Sequence, residues 1–236
     1  MQGGILRGTS KRPVPLRLDA LLFDLDGTLV DTTELHVAAT NAALATFDRR
    51  ISRQEYEEHL HGGANDDTRH FLFPDDPEGK GRDYVELKEQ LFRNSVVQLE
   101  RMPGLTELLD WAAEHSLKTA VVTNAPRANA DLMLRALGLA DRFDAIVVAE
   151  EVPLGKPDPG PYLEGLSRIG CTAEAAIGFE DSPSGLTALI GAGVFSVAIT
   201  GAGDPAPLIG ADLLIDDFRS PALQSLRHVI LKPDPS

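Results

Sequence analysis

The chain has 236 residues, enough for one sizeable domain or a domain carrying an insertion, and at 43% apolar and 25% charged its composition is that of an ordinary globular protein. A formal net charge of −14 argues against nucleic acid and anionic membranes as partners, since both attract basic surfaces, but leaves room for a small phosphorylated ligand held by a local cation. Cys171 is the sole cysteine, so an internal disulfide, a zinc finger and a CxxC pair are excluded; with no apolar run near membrane-spanning length, the expectation is a reducing, cytoplasmic setting.

Residues 1–17 carry basic residues and prolines without a hydrophobic stretch, and are expected to form a flexible extension rather than a secretory signal. Short apolar runs then recur at Ala20–Phe23, Thr119–Val122, Ala145–Val148, Ala176–Phe179, Phe195–Ile199 and Leu213–Ile215. Runs this short and this apolar suit strands buried on both faces of a parallel sheet. Helical patterns alternate with them at Gly104–His115, Arg127–Leu137, Pro159–Ile169 and Ser182–Gly191. The alternation predicts an α/β fold with a Rossmann-like open parallel sheet flanked by helices.

Between Thr32 and about Leu99 the rhythm changes. TELHVAATNAALATF, SRQEYEEHL and DYVELKEQLFRNSVVQL are amphipathic helical patterns, joined by the polar segment HGGANDDTRHFLFPDDPEGKG. An all-helical insertion at 32–98 is therefore expected within a core domain made of 18–31 and 99–236.

Ligands of open α/β sheets bind beyond the carboxyl ends of the strands. There the sequence places Asp24-Leu25-Asp26-Gly27-Thr28, Thr123-Asn124, the loop Gly155-Lys156-Pro157-Asp158-Pro159, and Gly178-Phe179-Glu180-Asp181-Ser182. Side chains two apart on extended backbone share a direction, so Asp24 and Asp26 converge while Leu25 faces elsewhere. Four carboxylates in one cleft would repel unless a cation sat among them. An all-oxygen donor set without a suitable His or Cys favours a hard ion, Mg²⁺ before zinc.

These four segments, in this order, resemble the motifs of the haloacid dehalogenase superfamily, specifically its phosphotransferase members. They match D-x-D-G-T, a strand ending in Ser or Thr, G-K-P-x-P and G-[FD]-E-D-S-x-x-G, over a likeness running from about Leu18 to Ile215. The insertion falls where that family carries a helical cap, in the branch of β-phosphoglucomutase and phosphoglycolate phosphatase. The resemblance implies Asp24 as a nucleophile forming an aspartyl-phosphate and Asp26 as the acid and base for the leaving oxygen and the water. It implies Mg²⁺ held by Asp24, the Asp26 carbonyl and Asp181, with Glu180 direct or through water. Thr123 and the amides after Asp24, in the Gly27-Thr28 turn, would bind phosphate, with Asn124 beside them. Lys156 would add positive charge beside the nucleophile.

Blander roles compete at several positions. Thr123 could cap the following helix, one of Glu180 and Asp181 could do the same for the helix after Ser182, and Asp31 suits a structural turn. Trp111 reads as core, and Asp75-Asp76-Pro77-Glu78 as a solvated loop. His36, one turn into the insertion, is close enough to the hinge to face the cleft, although a surface histidine is the commoner case; His61, Asn65 and Arg69 are further substrate candidates on the insertion.

The second motif-one acid excludes the family's dehalogenases and phosphonatases, and P-type ATPases need membrane helices. In β-phosphoglucomutase-like proteins the cap loop resembles G-x-S-R-[DE]; here it reads Gly62-Gly63-Ala64-Asn65-Asp66, with Asn65 where the arginine would stand and Arg69 a possible substitute. Losing a bidentate phosphate clamp disfavours a bisphosphate intermediate. The expected function is a Mg²⁺-dependent phosphatase acting on a small phosphomonoester of the sugar phosphate or phosphoglycolate type. The alternatives are a sugar-phosphate mutase and a non-catalytic protein that binds a phosphorylated ligand. A monomer is expected. Dinucleotide binding is disfavoured, since the first strand leads into D-G-T rather than G-x-G-x-x-G.

Overall fold

A computed structural model describes residues 12–201 and 204–230. Strands β1 (Ala20–Phe23), β2 (Lys118–Val122), β3 (Ala145–Val147), β4 (Ala176–Glu180), β5 (Phe195–Ile199) and β6 (Leu213–Ile215) form one sheet in the order β3-β2-β1-β4-β5-β6, and every pairing is parallel. Each lies on an expected apolar run, within a residue at either end. The order reverses direction beside β1, which makes the crevice past the ends of β1, β2 and β4 the natural ligand site.

The two-residue period of the strands divides the core. Leu21, Phe23, Val121, Ile177, Phe179 and Val197 belong to one packed cluster with Leu108, Trp111 and Met133 of the covering helices. Ala20, Leu22, Ala120 and Val122 face the other way, onto Tyr162, Leu166 and Leu189. Phe23 and Phe179 stack with ring centroids 5.0 Å apart, locking the two strands that carry the acid motifs.

The core helices are α5 (Leu105–Glu114), α6 (Arg127–Ala136), α7 (Gly160–Ile169), α8 (Pro183–Gly191) and α9 (Pro221–Ile230). They follow α1 (Thr33–Ala45), α2 (Arg53–His59), α3 (Asn65–Leu72) and α4 (Lys80–Ser95), which fill the chain between β1 and α5. These four have a core of their own, built on Ala43, Leu44, Tyr56, Leu60, Leu72, Phe73 and Tyr84. Its start signals are local: Ser52 and Glu55 form a reciprocal capping box at α2.

Three differences from the sequence expectations have physical causes. The polar segment 61–81 contains α3, whose first turn carries Asp66 and Asp67 and whose last turn carries Arg69 and His70, matching the helix dipole. α4 ends at Ser95 rather than near Leu99, because Val96 leaves helical geometry with φ −75° and ψ 95°. α9 was not expected; Leu223 and Leu226 bury its inner side against the sheet.

The expected extension, 1–17, lies outside the described residues up to residue 11. Its described part is packed rather than free: Arg12 Nη2 donates to the Ile190 carbonyl at 2.7 Å, and Pro15 is buried. No helix among the described residues is long and apolar enough to cross a membrane.

Candidate active site

Asp24 follows β1 directly, and its amide donates to the Phe179 carbonyl at 3.0 Å, so the sheet itself fixes the position of its carboxylate. The chain then turns sharply. Gly27 has φ +86°, a left-handed conformation that a side chain disfavours, and a Cβ there would fall 1.8 Å from Asp181 Oδ2. Its own amide is spent on the Val30 carbonyl at 2.7 Å. The contribution of Gly27 is thus the turn and the space beside Asp181, which corrects the expectation that this amide binds phosphate.

Lys156 sits at the centre of the buried charge. Its Nζ, on a side chain only 2% exposed, lies 2.5 Å from Asp24 Oδ1 and 2.6 Å from Glu180 Oε1. Burial opposes its charge, but the two carboxylates outweigh that and hold its pKa above the ordinary lysine value, so it stays protonated. Glu180 is fully buried and saturated. Oε1 also accepts from Tyr162 Oη at 2.7 Å, and Oε2 accepts from the Asp181 amide at 3.1 Å, the Ser182 amide at 3.3 Å and Ser182 Oγ at 3.1 Å.

Asp181 accepts from Thr28 Oγ1 at 3.1 Å and lies 3.0 Å from His61 Nε2. Thr28 is fully buried and does not line the cleft. Its expected place in substrate binding is therefore replaced by a role in orienting Asp181.

Carboxylate atoms of Asp24, Glu180 and Asp181 can all lie within 4.8 Å of one another. Burial first, against the opposing pull of Lys156 and with Glu180 and Asp181 adding to it, drives the pKa of Asp24 well above the usual carboxylate range. Asp181 is likewise raised, by burial and by Glu180, with His61 and Thr28 opposing. Against these three carboxylates Lys156 and a protonated His61 still leave negative charge uncompensated, and the carboxylate donors are all oxygens. A hard divalent cation fits both the charge and the donor set.

Asp26 points elsewhere. Its Oδ1 lies 2.5 Å from Thr32 Oγ1 and 2.9 Å from His36 Nε2, both at the start of the insertion. Its carboxylate is not in the metal-competent group found among the described residues, in keeping with a role there for its backbone carbonyl alone. Burial disfavours ionisation, but His36 and Thr32 prevail and lower its pKa. His36 stacks flat on Phe92, centroids 4.1 Å apart, which fixes its ring.

One cleft gathers most of the candidates: Asp24, Asp26, Gly27, His36, His61, Asn65, Thr123 and Asn124 line it, joined by Asn129, which the sequence did not single out, whereas Lys156, Glu180 and Asp181 are not among its lining residues. Thr123 Oγ1 accepts from the Ala125 amide at 3.0 Å, so it shapes the turn into α6 while its hydroxyl proton remains to be donated. Asn124 joins core to insertion, donating to the Gly62 carbonyl at 3.0 Å and the Lys156 carbonyl at 3.2 Å and accepting from the Lys156 amide at 2.9 Å. Gly62 is pinned from the core side as well, since Ser184 Oγ donates to its carbonyl at 2.9 Å. Asp31 accepts from the Thr33 amide at 3.1 Å, the structural turn expected of it.

Arg69 is not part of the site. Its Nε donates to Asp66 Oδ1 at 2.9 Å and Nη1 to the Pro77 carbonyl at 3.0 Å, it also pairs with Glu78, and it does not line the cleft. The local acids of 66–78 capture it. Conversely, Glu89 lines the cleft and was missed. It is only 6% exposed, on the buried side of α4 with Tyr84 and Phe92, and an acid on the apolar stripe of an amphipathic helix is the signal that marks it.

The family model for haloacid dehalogenase-like hydrolases matches residues 21–199. A phosphorylated carbohydrates phosphatase of Thermotoga maritima is 31% identical over 190 residues, 75% of this chain and 82% of that protein. A β-phosphoglucomutase of Bacillus subtilis is 29% identical over 224 residues, 89% and 95% of the two chains. Among solved structures, CbbY of Rhodobacter sphaeroides in complex with xylulose-(1,5)bisphosphate superposes with a TM-score of 0.77 at 30% identity, covering 85% of this chain and 95% of that one. The chain belongs to the haloacid dehalogenase-like hydrolase family, in its helical-cap branch, and is an enzyme of the phosphoryl-transfer type.

Proposed function

We propose that this protein is a Mg²⁺-dependent phosphatase that hydrolyses a small phosphomonoester, of the sugar phosphate or phosphoglycolate type, through an aspartyl-phosphate on Asp24. The observation that carries the reading is the division of labour between two carboxylates of one cleft. Asp24 is held against Lys156 at 2.5 Å, whereas Asp26 is held by Thr32 and His36 on the insertion side.

Asp24 attacks phosphorus as the bond to the leaving oxygen breaks, and Asp26 gives that oxygen its proton. Water then attacks the phosphorus of the aspartyl-phosphate, Asp26 takes the water's proton, and the bond to Asp24 breaks to release phosphate. The approach of a phosphate dianion beside Asp26 favours its protonated form for the first step. The lowered pKa of the free site suits the base role in the second. Thr123 Oγ and Lys156 Nζ stabilise the phosphoryl oxygens, which is most of what phosphoryl transfer asks of a protein. Asp24 and Asp181 would hold Mg²⁺ directly with the Asp26 carbonyl, and Glu180, already saturated by donors, through water. The ion would neutralise charge on the transferring group.

The test is phosphate release across sugar phosphates, phosphoglycolate, nucleotides and p-nitrophenyl phosphate, with Mg²⁺, with EDTA, and with Asp24→Asn as the blank. Release that needs Mg²⁺ and vanishes in the variant supports the reading. A mutase is the second reading, suggested by the likeness to β-phosphoglucomutase. The capture of Arg69 by Asp66 and Glu78 weighs against it, because among the described residues no arginine then lines the cleft to hold a second phosphate. Isomerisation of a hexose 1-phosphate with a bisphosphate primer would reinstate it. Binding of a phosphorylated ligand with no label on Asp24 and no release would favour a binding protein.

A further inference from the structure

The wall of the cleft built by α3, α4 and α6 holds a buried carboxylate that the chemistry of Asp24 and Asp26 does not use. Glu89 Oε1 accepts from Lys88 Nζ at 2.9 Å, and Oε2 accepts from Asn129 Nδ2. The orientation of that amide is fixed from behind. Arg93 Nη1 donates to Asn129 Oδ1 at 3.0 Å, and since arginine can only donate, Nδ2 must face Glu89. Burial opposes ionisation of Glu89, but Lys88, His36 and Asn65 prevail and lower its pKa, so the group is an anion at neutral pH.

The positive charges nearby are already committed. Lys88 pairs with Glu89, and His61 lies against Asp181. What remains on this wall is neutral and forms hydrogen bonds: Asn65, Asn129 and Thr40. His36 adds an open position. Nε2 meets Asp26, and among the described residues Nδ1 is buried without a partner, a position that a hydroxyl, able to donate or accept, can satisfy in either form of the ring.

We propose that Glu89 makes this wall a subsite for a neutral, hydroxyl-bearing leaving group. The enzyme then favours monophosphates of sugars or polyols over esters whose leaving group carries a carboxylate or a second phosphate. The inference rests on the phosphatase reading and narrows it. A carboxylate accepts hydrogen bonds from hydroxyls and repels another anion held in the same cleft, so the selectivity is as much exclusion as attraction.

The experiment compares kcat/KM for hexose and hexitol monophosphates, phosphoglycolate and a hexose bisphosphate. The native enzyme should prefer the neutral leaving groups over phosphoglycolate by about tenfold or more. Glu89→Gln, which keeps the shape and removes the charge, should shrink that ratio at least about tenfold. Lys88→Met, which strips the offsetting cation, should widen it. A parallel loss on every substrate in Glu89→Gln, with the ratio intact, would reduce Glu89 to a tie between α4 and α6 and overturn the proposal. So would a native preference for phosphoglycolate or the bisphosphate. Calorimetric binding to Asp24→Asn in Mg²⁺, with a hexitol monophosphate and with phosphoglycolate as ligands, reads the same preference without turnover. A preference there, combined with no phosphate release by the native enzyme, sinks the phosphatase reading and keeps the subsite; equal affinities sink the subsite.

Discussion

His61, carried by the helical insertion, places Nε2 3.0 Å from Oδ2 of Asp181, which stands at the end of β4 in the core. Burial works against a charged imidazole there, but the hydrogen bond and charge of Asp181, with Asp24 and Glu180 behind it, raise the His61 pKa to about 9. The contact joins the part of the molecule expected to recognise substrate to the part expected to hold the cation.

In metal-stripped protein, His61→Ala should therefore loosen the seating of the loop that contains Gly62. A partly screened charged hydrogen bond of this kind is worth about 1 kcal/mol, so amide exchange across this loop should quicken by about fivefold. The native contact, being tied to a raised pKa, is fully present below the ordinary histidine value and is lost as pH rises through about 9. Exchange that is equal in the two proteins at neutral pH would show that His61 does not hold the loop.

Adding Mg²⁺ should stabilise the native protein, and Asp181 should be the reason. At a hundredfold excess over Kd a bound ion adds about 2.7 kcal/mol, which for a chain of this size is a rise of about 5–10 °C in Tm. Because the folded-state pKa of Asp181 is raised, its ionised form is a burden on the metal-free fold at neutral pH. Asp181→Asn should match or exceed the native Tm in EDTA and lose the Mg²⁺ increment. A lower Tm in EDTA, or a retained increment, counts against this account.

Gly185 lies inside α8, where glycine to alanine ordinarily gains about 0.5–1 kcal/mol. Here a Cβ would fall 1.8 Å from Glu180 Oε1. Gly185→Ala should reverse the usual sign, destabilising by about 1–3 kcal/mol and displacing the carboxylate that holds Lys156. Chemical denaturation gives the first quantity and phosphate release the second. A stabilised, fully active variant would mean that Glu180 can move without consequence.

Removing the imidazole from Asp26 should move a pH profile. His36 and Thr32 lower the Asp26 pKa against the effect of burial. His36→Asn should let it rise, so the acid limb of aspartyl-phosphate hydrolysis, the step that needs Asp26 ionised, shifts to higher pH while activity falls by about 10²-fold. An unmoved limb would assign that ionisation to another group.

Much of this molecule can be read from its sequence. The six apolar runs are short and buried on both sides, so they announce a parallel sheet, and acids at the ends of β1 and β4 announce a charged crevice. What escaped reading depends on partners far apart in the chain. Glu89 meets Asn129 forty positions away and His61 meets Asp181 at a separation of 120, and neither pairing leaves a local pattern. Arg69 misled for the opposite reason, because acids near it in sequence took a guanidinium that the cleft was expected to use. Thr28 and Gly27 sit in a recognisable motif, yet only the close approach of Asp181 shows that one aims it and the other makes room for it.

The Met102 amide donates to the Leu29 carbonyl at 2.8 Å. The chain therefore leaves the sheet and returns to it through a single clasped doorway, and everything between is a long detour with its own small core. A detour closed at its base can be lengthened, shortened or exchanged without changing the distance its ends must bridge. The doorway thus marks where another helical lid could be grafted onto the same sheet, provided that lid brings groups to hold Asp26 and Asp181 as His36 and His61 do here.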